Sequence, residues 1–206
     1  MKSRRVHLSA LVVALLLVVS PASTMSAHQN LRVFFFGDSL SDPGNHFIAF
    51  KEIALRPFGP VPESPYAVGG LHFTNGPTWA EQLAFMLHSP KSGLPALLAG
   101  GEFTNYAVGR ARARPGAPVF PYFDLATQTA RFRGDFHGVA PPNATFAIWI
   151  GGDDLNDALA ALAGDQTGAT SLAIVEAALE SVATNIQSLW LSGARTFLIL
   201  NIPNLA

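Results

Sequence analysis

The apolar residues of this chain fall into short runs separated by breaks rich in glycine and proline. Val33-Phe34-Phe35-Phe36 is four apolar residues halted by Gly37, the pattern of a short strand buried on both faces. Residues 103–109, 145–150 and 196–200 repeat it, the second ending in Gly109 and the third followed by Gly151-Gly152. Helical spacing appears between them. Ile48, Ala49, Ile53 and Ala54 mark one stripe within 43–55. Trp79, Leu83, Phe85, Met86 and Leu87 mark another, after a start signalled by Thr74, Asn75 and Pro77. Leu125, Ala126, Thr129 and Phe132 give a third within 122–132. Residues 155–162 and 171–191 are helical patterns rich in alanine and leucine, the second closed by Gly193. Strands alternating with helices predict an α/β fold with a parallel sheet and right-handed crossovers.

The start of the chain reads differently. Lys2, Arg4 and Arg5 precede an apolar run over 8–19, and small residues follow at Ser20-Pro21-Ala22 and Ser26-Ala27. This is the layout of a secretory signal peptide over 1–27, with a run too short to span a bilayer comfortably. Residues 28–206 are then expected to form one domain that is exported, secreted or periplasmic, without stable membrane insertion once the leader is cleaved. Setting the leader's cations aside leaves acidic residues in excess, and no basic run or basic-aromatic platform suggests a nucleic-acid partner. There is no cysteine, hence no disulfide and no thiolate metal site. No histidine pair has ligand spacing, so neither a metal nor a cofactor is expected.

Parallel strands bring their carboxyl ends to one edge, where open α/β sheets bind ligands. Three clusters meet there: Gly37-Asp38-Ser39, Gly109, and Gly151-Gly152-Asp153-Asp154. Alone, Gly-Asp-Ser is an ordinary turn. Together the clusters suit acyl transfer, which needs a nucleophilic hydroxyl, donors for the oxyanion, and a base. Ser39 supplies the hydroxyl. The backbone amides of Ser39 and Gly109 are candidate donors, and a side-chain amide from the third strand would complete the set. His46 and His72 read as exposed loop or helix histidines, Trp79 and Trp149 as core aromatics, Asn75 as a helix cap, and Asp42 and Asn45 as braces of the turn after Ser39.

Four blocks carry a family resemblance: Phe-Phe-Gly-Asp-Ser-Leu-Ser-Asp-Pro-Gly-Asn from Phe35, Phe-Thr-Asn-Gly-Pro-Thr-Trp from Phe73, Asn-Tyr-Ala-Val-Gly from Asn105, and Trp-Ile-Gly-Gly-Asp-Asp from Trp149. In order and spacing they resemble the GDSL lipase/esterase family of SGNH hydrolases, in the branch of exported bacterial esterases, thermolabile haemolysin-like lipases and plant GDSL lipases. The resemblance implies a flavodoxin-like three-layer α/β/α sandwich. It also implies metal-free hydrolysis of a small-molecule, lipid or glycan ester through an acyl-enzyme. Ser39 resembles the nucleophile, Gly109 an oxyanion donor, and Asp154 a structural acid.

Asp153 falls where the family places an asparagine donor. An ionised carboxylate accepts and repels where an amide donates. Arg110 stands where a second glycine commonly follows Gly109. The Asp-x-x-His block that supplies the family's triad acid and base is absent from these residues. The resemblance therefore also implies a domain incomplete at its C-terminus. Three readings follow: a serine ester hydrolase, a catalytically inactive member that binds acyl or glycan ligands, or a fragment that does not fold stably.

Overall fold

The computed structural model describes residues 31–50, 72–74, 76–116 and 123–202. The proposed leader, residue Asn75 and the stripe positions Ile53 and Ala54 lie outside them. Three parallel strands form the sheet in the order β1 (Val33–Gly37), β2 (Thr145–Trp149), β3 (Thr196–Ile199). The register sets Val33 beside Thr145 and Gly37 beside Trp149, and Ile148 beside Ile199. The expected strand at 103–109 is an extended flank rather than a ladder strand. It pairs with β1 through an isolated parallel bridge between Phe35 and Asn105. Tyr106 N–H donates to Phe35 O at 2.8 Å and Val108 N–H to Gly37 O at 3.1 Å.

Two apolar layers cover the sheet, because successive strand residues point to opposite faces. On one face Phe34, Phe36, Phe146 and Ile148 pack against Phe132 of α3 (Leu125–Asp135) and Leu189 of α5 (Ala169–Leu191). On the other, Val33, Phe35 and Ala147 pack against Ala80 and Ala84 of α2 (Trp79–Met86). This is an α/β/α arrangement. The Phe34 ring stacks on Phe146 at 4.9 Å and meets Phe132 edge-on at 5.0 Å. Each fully buried phenylalanine contributes about 1.5–3 kcal/mol by area alone.

Several sequence expectations shift. α2 starts at Thr78, not in the Thr74–Pro77 stretch. Thr78 and Glu81 form a reciprocal capping box, with the Thr78 hydroxyl accepting from Glu81 N–H and Glu81 accepting from Thr78 N–H at 2.8 Å. The buried face of α2 is alanine, while Phe85 is 74% exposed and Met86 72%. The 3₁₀ turn Pro90–Gly93 explains the choice: a Cβ on Gly93 would lie 2.8 Å from Glu81 Cα, so only small residues fit between the two elements. α1 (Asn45–Phe50) buries Asn45 and His46, whereas Ala49, placed in its inner stripe by spacing, is exposed. α4 (Gly152–Ala161) begins three residues before the predicted helix, with Asp153 and Asp154 in its first turn. β3 is the sheet's edge among the described residues, and its Leu198 and Ile199 are 40% and 47% exposed.

Candidate active site

β1 delivers its last residue onto a clamped platform. Gly37 N–H donates to Gln128 Oε1 at 2.9 Å, and Gln128 Nε2 donates back to Gly37 O at 2.8 Å. Any other residue would fail at this position, since a Cβ would lie 2.5 Å from Trp149 O and 2.9 Å from Ser41 Oγ. The chain then turns tightly. Asp38 O accepts Ser41 N–H at 3.1 Å and Asp38 Oδ1 accepts Leu40 N–H at 3.1 Å. Ser39 sits at the crown of this turn, half-buried, and its hydroxyl has no hydrogen-bond partner among the described residues. Trp79 Nε1 donates to Ser41 Oγ at 3.0 Å, fixing the far side of the turn. Trp79 is a core aromatic as expected, edge-on to Phe35 at 5.5 Å and to Trp149 at 5.6 Å.

Asp42 is the hub beneath Ser39. It is fully buried and accepts four backbone N–H groups: Gly44 at 2.8 Å, Asn45 at 2.6 Å, His46 at 3.0 Å and Gly109 at 2.7 Å. Burial pushes its carboxyl up to about 6, and the four donors pull the other way. Asn45 reaches across with Nδ2 to Asn105 O (2.8 Å) and Ala107 O (2.9 Å), and its Oδ1 accepts Leu97 N–H at 3.0 Å. Asn105 Nδ2 in turn donates to Ser41 O at 2.9 Å. The expectation that Asp42 and Asn45 brace the turn is met.

Gly109, the expected oxyanion donor, also ties the second cluster to Asp42. Its N–H is committed to Asp42 Oδ2, not open toward an oxyanion beside Ser39. A buried carboxylate is a strong acceptor for a backbone amide. A Cβ at this position would sit 2.1 Å from Phe73 Cε2, so any larger residue needs that ring to move. Its neighbour Arg110 holds a left-handed φ of 66°, a conformation that glycine adopts without cost.

Both candidate histidines are buried, contrary to the exposed positions expected of them. His46 Nδ1 lies 2.9 Å from Gly109 O, so it is the donor nitrogen and Nε2 carries the lone pair in the neutral ring. Burial and the Arg110 charge lower its pKa, favouring that neutral form, while the bond to Gly109 opposes them. His72 Nε2 lies 3.1 Å from Glu81 Oε2, yet neither ring nitrogen is aligned for a hydrogen bond.

The third cluster opens α4. Asp154 is structural: it accepts Ala113 N–H at 2.7 Å and Arg114 Nη1 at 2.8 Å. Arg112 forks onto Asp157 with two bonds of 2.9 Å, and Arg114 Nη2 reaches Asp157 at 2.7 Å. These pairs pin residues 112–114 to the helix. Asp153 is half-buried and its carboxyl has no hydrogen bond among the described residues. Burial raises its pKa, with Asp157 and Asp154 adding and Arg112 and Arg110 opposing. Asp38 feels the same cluster. Burial first, then the Asp153 and Asp154 charges, push it up to about 6, against N–H bonds from Leu40 and Gly152. Gly152 N–H belongs to the first turn of α4, so Asp38 ties the Ser39 turn to the start of that helix.

The structure thus brings the Ser39 turn, Gly109 and the start of α4 to one sheet edge. Sequence reasoning missed Gln128, which lies 91 residues from Gly37 and carries no local signal. Among the described residues no group of three or more histidine or acidic side chains is placed to hold a metal ion, and no helix is long and apolar enough to cross a membrane.

Comparison with known proteins converges on one family. The family model described as GDSL-like lipase/acylhydrolase matches residues 33–206. A protein called Lipase 1 from Photorhabdus luminescens is 26% identical over 193 residues, covering 92% of this chain and 25% of that relative. The chain therefore spans about a quarter of the length of the curated relative it matches.

Proposed function

The chain belongs to the GDSL-like lipase/acylhydrolase family, and from that premise we propose that it is a serine ester hydrolase with Ser39 as nucleophile. The observation that carries the reading is the Ser39 hydroxyl, which has no hydrogen-bond partner among the described residues, on a turn locked by Gln128 and Asp42 at the carboxyl edge of the sheet. In this mechanism Ser39 Oγ attacks the ester carbonyl carbon as its proton passes to a base. The tetrahedral intermediate then collapses, the C–O bond to the alcohol breaks, and the alcohol departs with a proton. The acyl group stays as an ester on Ser39 until water releases the carboxylic acid and restores the hydroxyl. A base and oxyanion donors are the groups this scheme still requires; Ser39 N–H is one candidate donor. The substrate class is a small-molecule, lipid or glycan carboxylic ester. Export belongs to the same proposal and is supported by the basic start and apolar run of residues 1–27.

A second reading, ligand binding without turnover, is favoured by one specific observation. The Gly109 N–H is spent on Asp42, and a carboxylate stands at Asp153 where an amide donor belongs. Hydrolysis of p-nitrophenyl butanoate by the purified chain and its Ser39→Ala variant separates the two. The hydrolase reading expects a fall of about 10³-fold or more in the variant. Equal rates for both proteins would leave only the binding reading.

A further inference from the structure

Three hydrogen bonds close a cycle at the sheet edge. The backbone N–H groups of His46 and Gly109 both donate to one oxygen, Asp42 Oδ2, at 3.0 and 2.7 Å. The His46 ring then returns to Gly109 O through Nδ1 at 2.9 Å. Both polar groups of the Gly109 backbone are thus held, one by a carboxylate and one by an imidazole. The ring is fixed inside the cycle. His46 is 2% exposed, and Phe73 meets it edge-on at 5.2 Å. The same Phe73 ring occupies the space that a Cβ on Gly109 would need.

The residue that follows gives the cycle a use. Arg110 holds φ at 66°, a conformation that is costly for a residue with a Cβ. A local escape exists. Turning the Gly109–Arg110 peptide over by about half a rotation, the difference between the two common turn types, carries φ of the second residue to a negative value. The same motion would swing Gly109 O away from His46 Nδ1. The bond from the ring therefore opposes the flip. The ring is suited to holding a carbonyl. Its Nδ1 proton is present in both the neutral and the charged form, so the donor survives titration. Burial, with the Arg110 charge, disfavours the imidazolium, and the bond to Gly109 opposes them. Asp42 is the charged group on the other side, bonded to the His46 backbone.

We propose that His46 is a positioning residue: its ring holds the Gly109–Arg110 peptide against this flip and so fixes Gly109 beside the Ser39 turn, and it is not the acceptor of the Ser39 proton. The effect on hydrolysis rests on the ester-hydrolase reading, whereas the hold on the peptide does not require turnover. Backbone NMR of the full chain reads that hold, because the coupling between the Arg110 N–H and Hα reports φ. The left-handed φ is expected in the parent and in His46→Asn, whose amide nitrogen stands at the same place along the side chain as Nδ1. It is expected to be lost in His46→Ala. A left-handed Arg110 that persists in His46→Ala overturns the proposal. Where thermal melts show that His46→Ala misfolds, the ring-nitrogen spectrum of the parent decides: a proton on Nδ1 supports the bond to Gly109 O, and a bare Nδ1 rejects it. Hydrolysis of p-nitrophenyl butanoate separates positioning from proton transfer. His46→Ala is expected to lose about tenfold or more in kcat with KM changed by less than about twofold, and His46→Asn to recover most of the loss. Equal losses in the two variants would make His46 a proton acceptor and overturn the assignment. A φ of Arg110 that depends on His46 without Ser39-dependent hydrolysis would remove the hydrolase reading and keep the positioning role. Ser39-dependent hydrolysis with φ of Arg110 indifferent to His46 would do the reverse.

Discussion

Asp42 and Asp153 are both acidic side chains at the same sheet edge, and their surroundings are opposite. Asp42 is sealed from solvent and accepts four N–H groups drawn from the turn, from α1 and from Gly109. Asp153 is half-buried, accepts none among the described residues, and shares its neighbourhood with Asp154 and Asp157. The first organises backbone around Ser39. The second is a position where the local fold demands nothing of the side chain. A change at Asp153 therefore leaves the scaffold's hydrogen bonds intact, whereas a change at Asp42 falls on the scaffold first.

The most direct way to break this comparison is to delete each carboxyl. Asp42→Ala leaves four buried N–H groups without their acceptor. At about 1–3 kcal/mol per orphan, reduced by water entering the vacated space, the expected loss is about 4 kcal/mol in denaturant melts. Asp153→Ala is expected to change stability by less than about 0.5 kcal/mol. Equal losses would dissolve the distinction.

A pH titration sharpens it through Asp38, which lies between the two. Its folded value is raised to about 6 against an ordinary 3.8. Between those values the folded state holds more protons than the unfolded state, so this group's contribution to stability falls as pH rises and reaches its full deficit above about 6. Asp38→Asn lacks that proton. Its stability relative to the parent should climb by about 2–3 kcal/mol from pH 4 to pH 7. Asp42 is raised in the same direction, so the difference between the two proteins, not the parent's own profile, is the readout. A flat difference would mean that Asp38 is not desolvated.

Asp153→Asn tests the chemical half. An amide can donate where the carboxylate cannot, so Ser39-dependent turnover is expected to rise by about 10–100-fold in kcat, with little change in stability. An unchanged rate would mean that the side chain at 153 does not face the developing oxyanion.

How much of this was legible beforehand differs by kind of residue. β1 and β2 were readable because four or more apolar residues in a row need two covered faces. The same rule over-read β3, whose Leu198 and Ile199 are exposed because burial depends on what lies next to a strand as well as on its own residues. The start of α2 was misplaced although Thr78-Trp79-Ala80-Glu81 is a capping-box signature; Pro77 drew the boundary upstream. Gly151-Gly152-Asp153-Asp154 read as a strand end, and it is equally a helix start whose acids suit the positive end of the helix dipole. The Ser39 turn and its brace at Asp42 were visible as a compact local motif. The burial of His46 and His72, the Gln128 clamp and the capture of Gly109 N–H by Asp42 were not. They depend on contacts between segments far apart in sequence, for which a single chain offers no periodicity.

A further effect concerns Gly109, whose N–H Asp42 holds. Gly109 does not adopt a positive φ, so Gly109→Ala carries no backbone strain, and its whole cost is steric. The new Cβ would meet Phe73 Cε2 at 2.1 Å, and Phe73 is only half-buried, so its ring can swing aside. The expected loss is about 1–2 kcal/mol, the lower range for overpacking. Phe73→Leu in the same chain should recover most of it, because the shorter side chain vacates the contact, and the two substitutions should be non-additive in a double-mutant cycle. Additive losses would mean that the cost of the new Cβ does not come from its contact with Phe73.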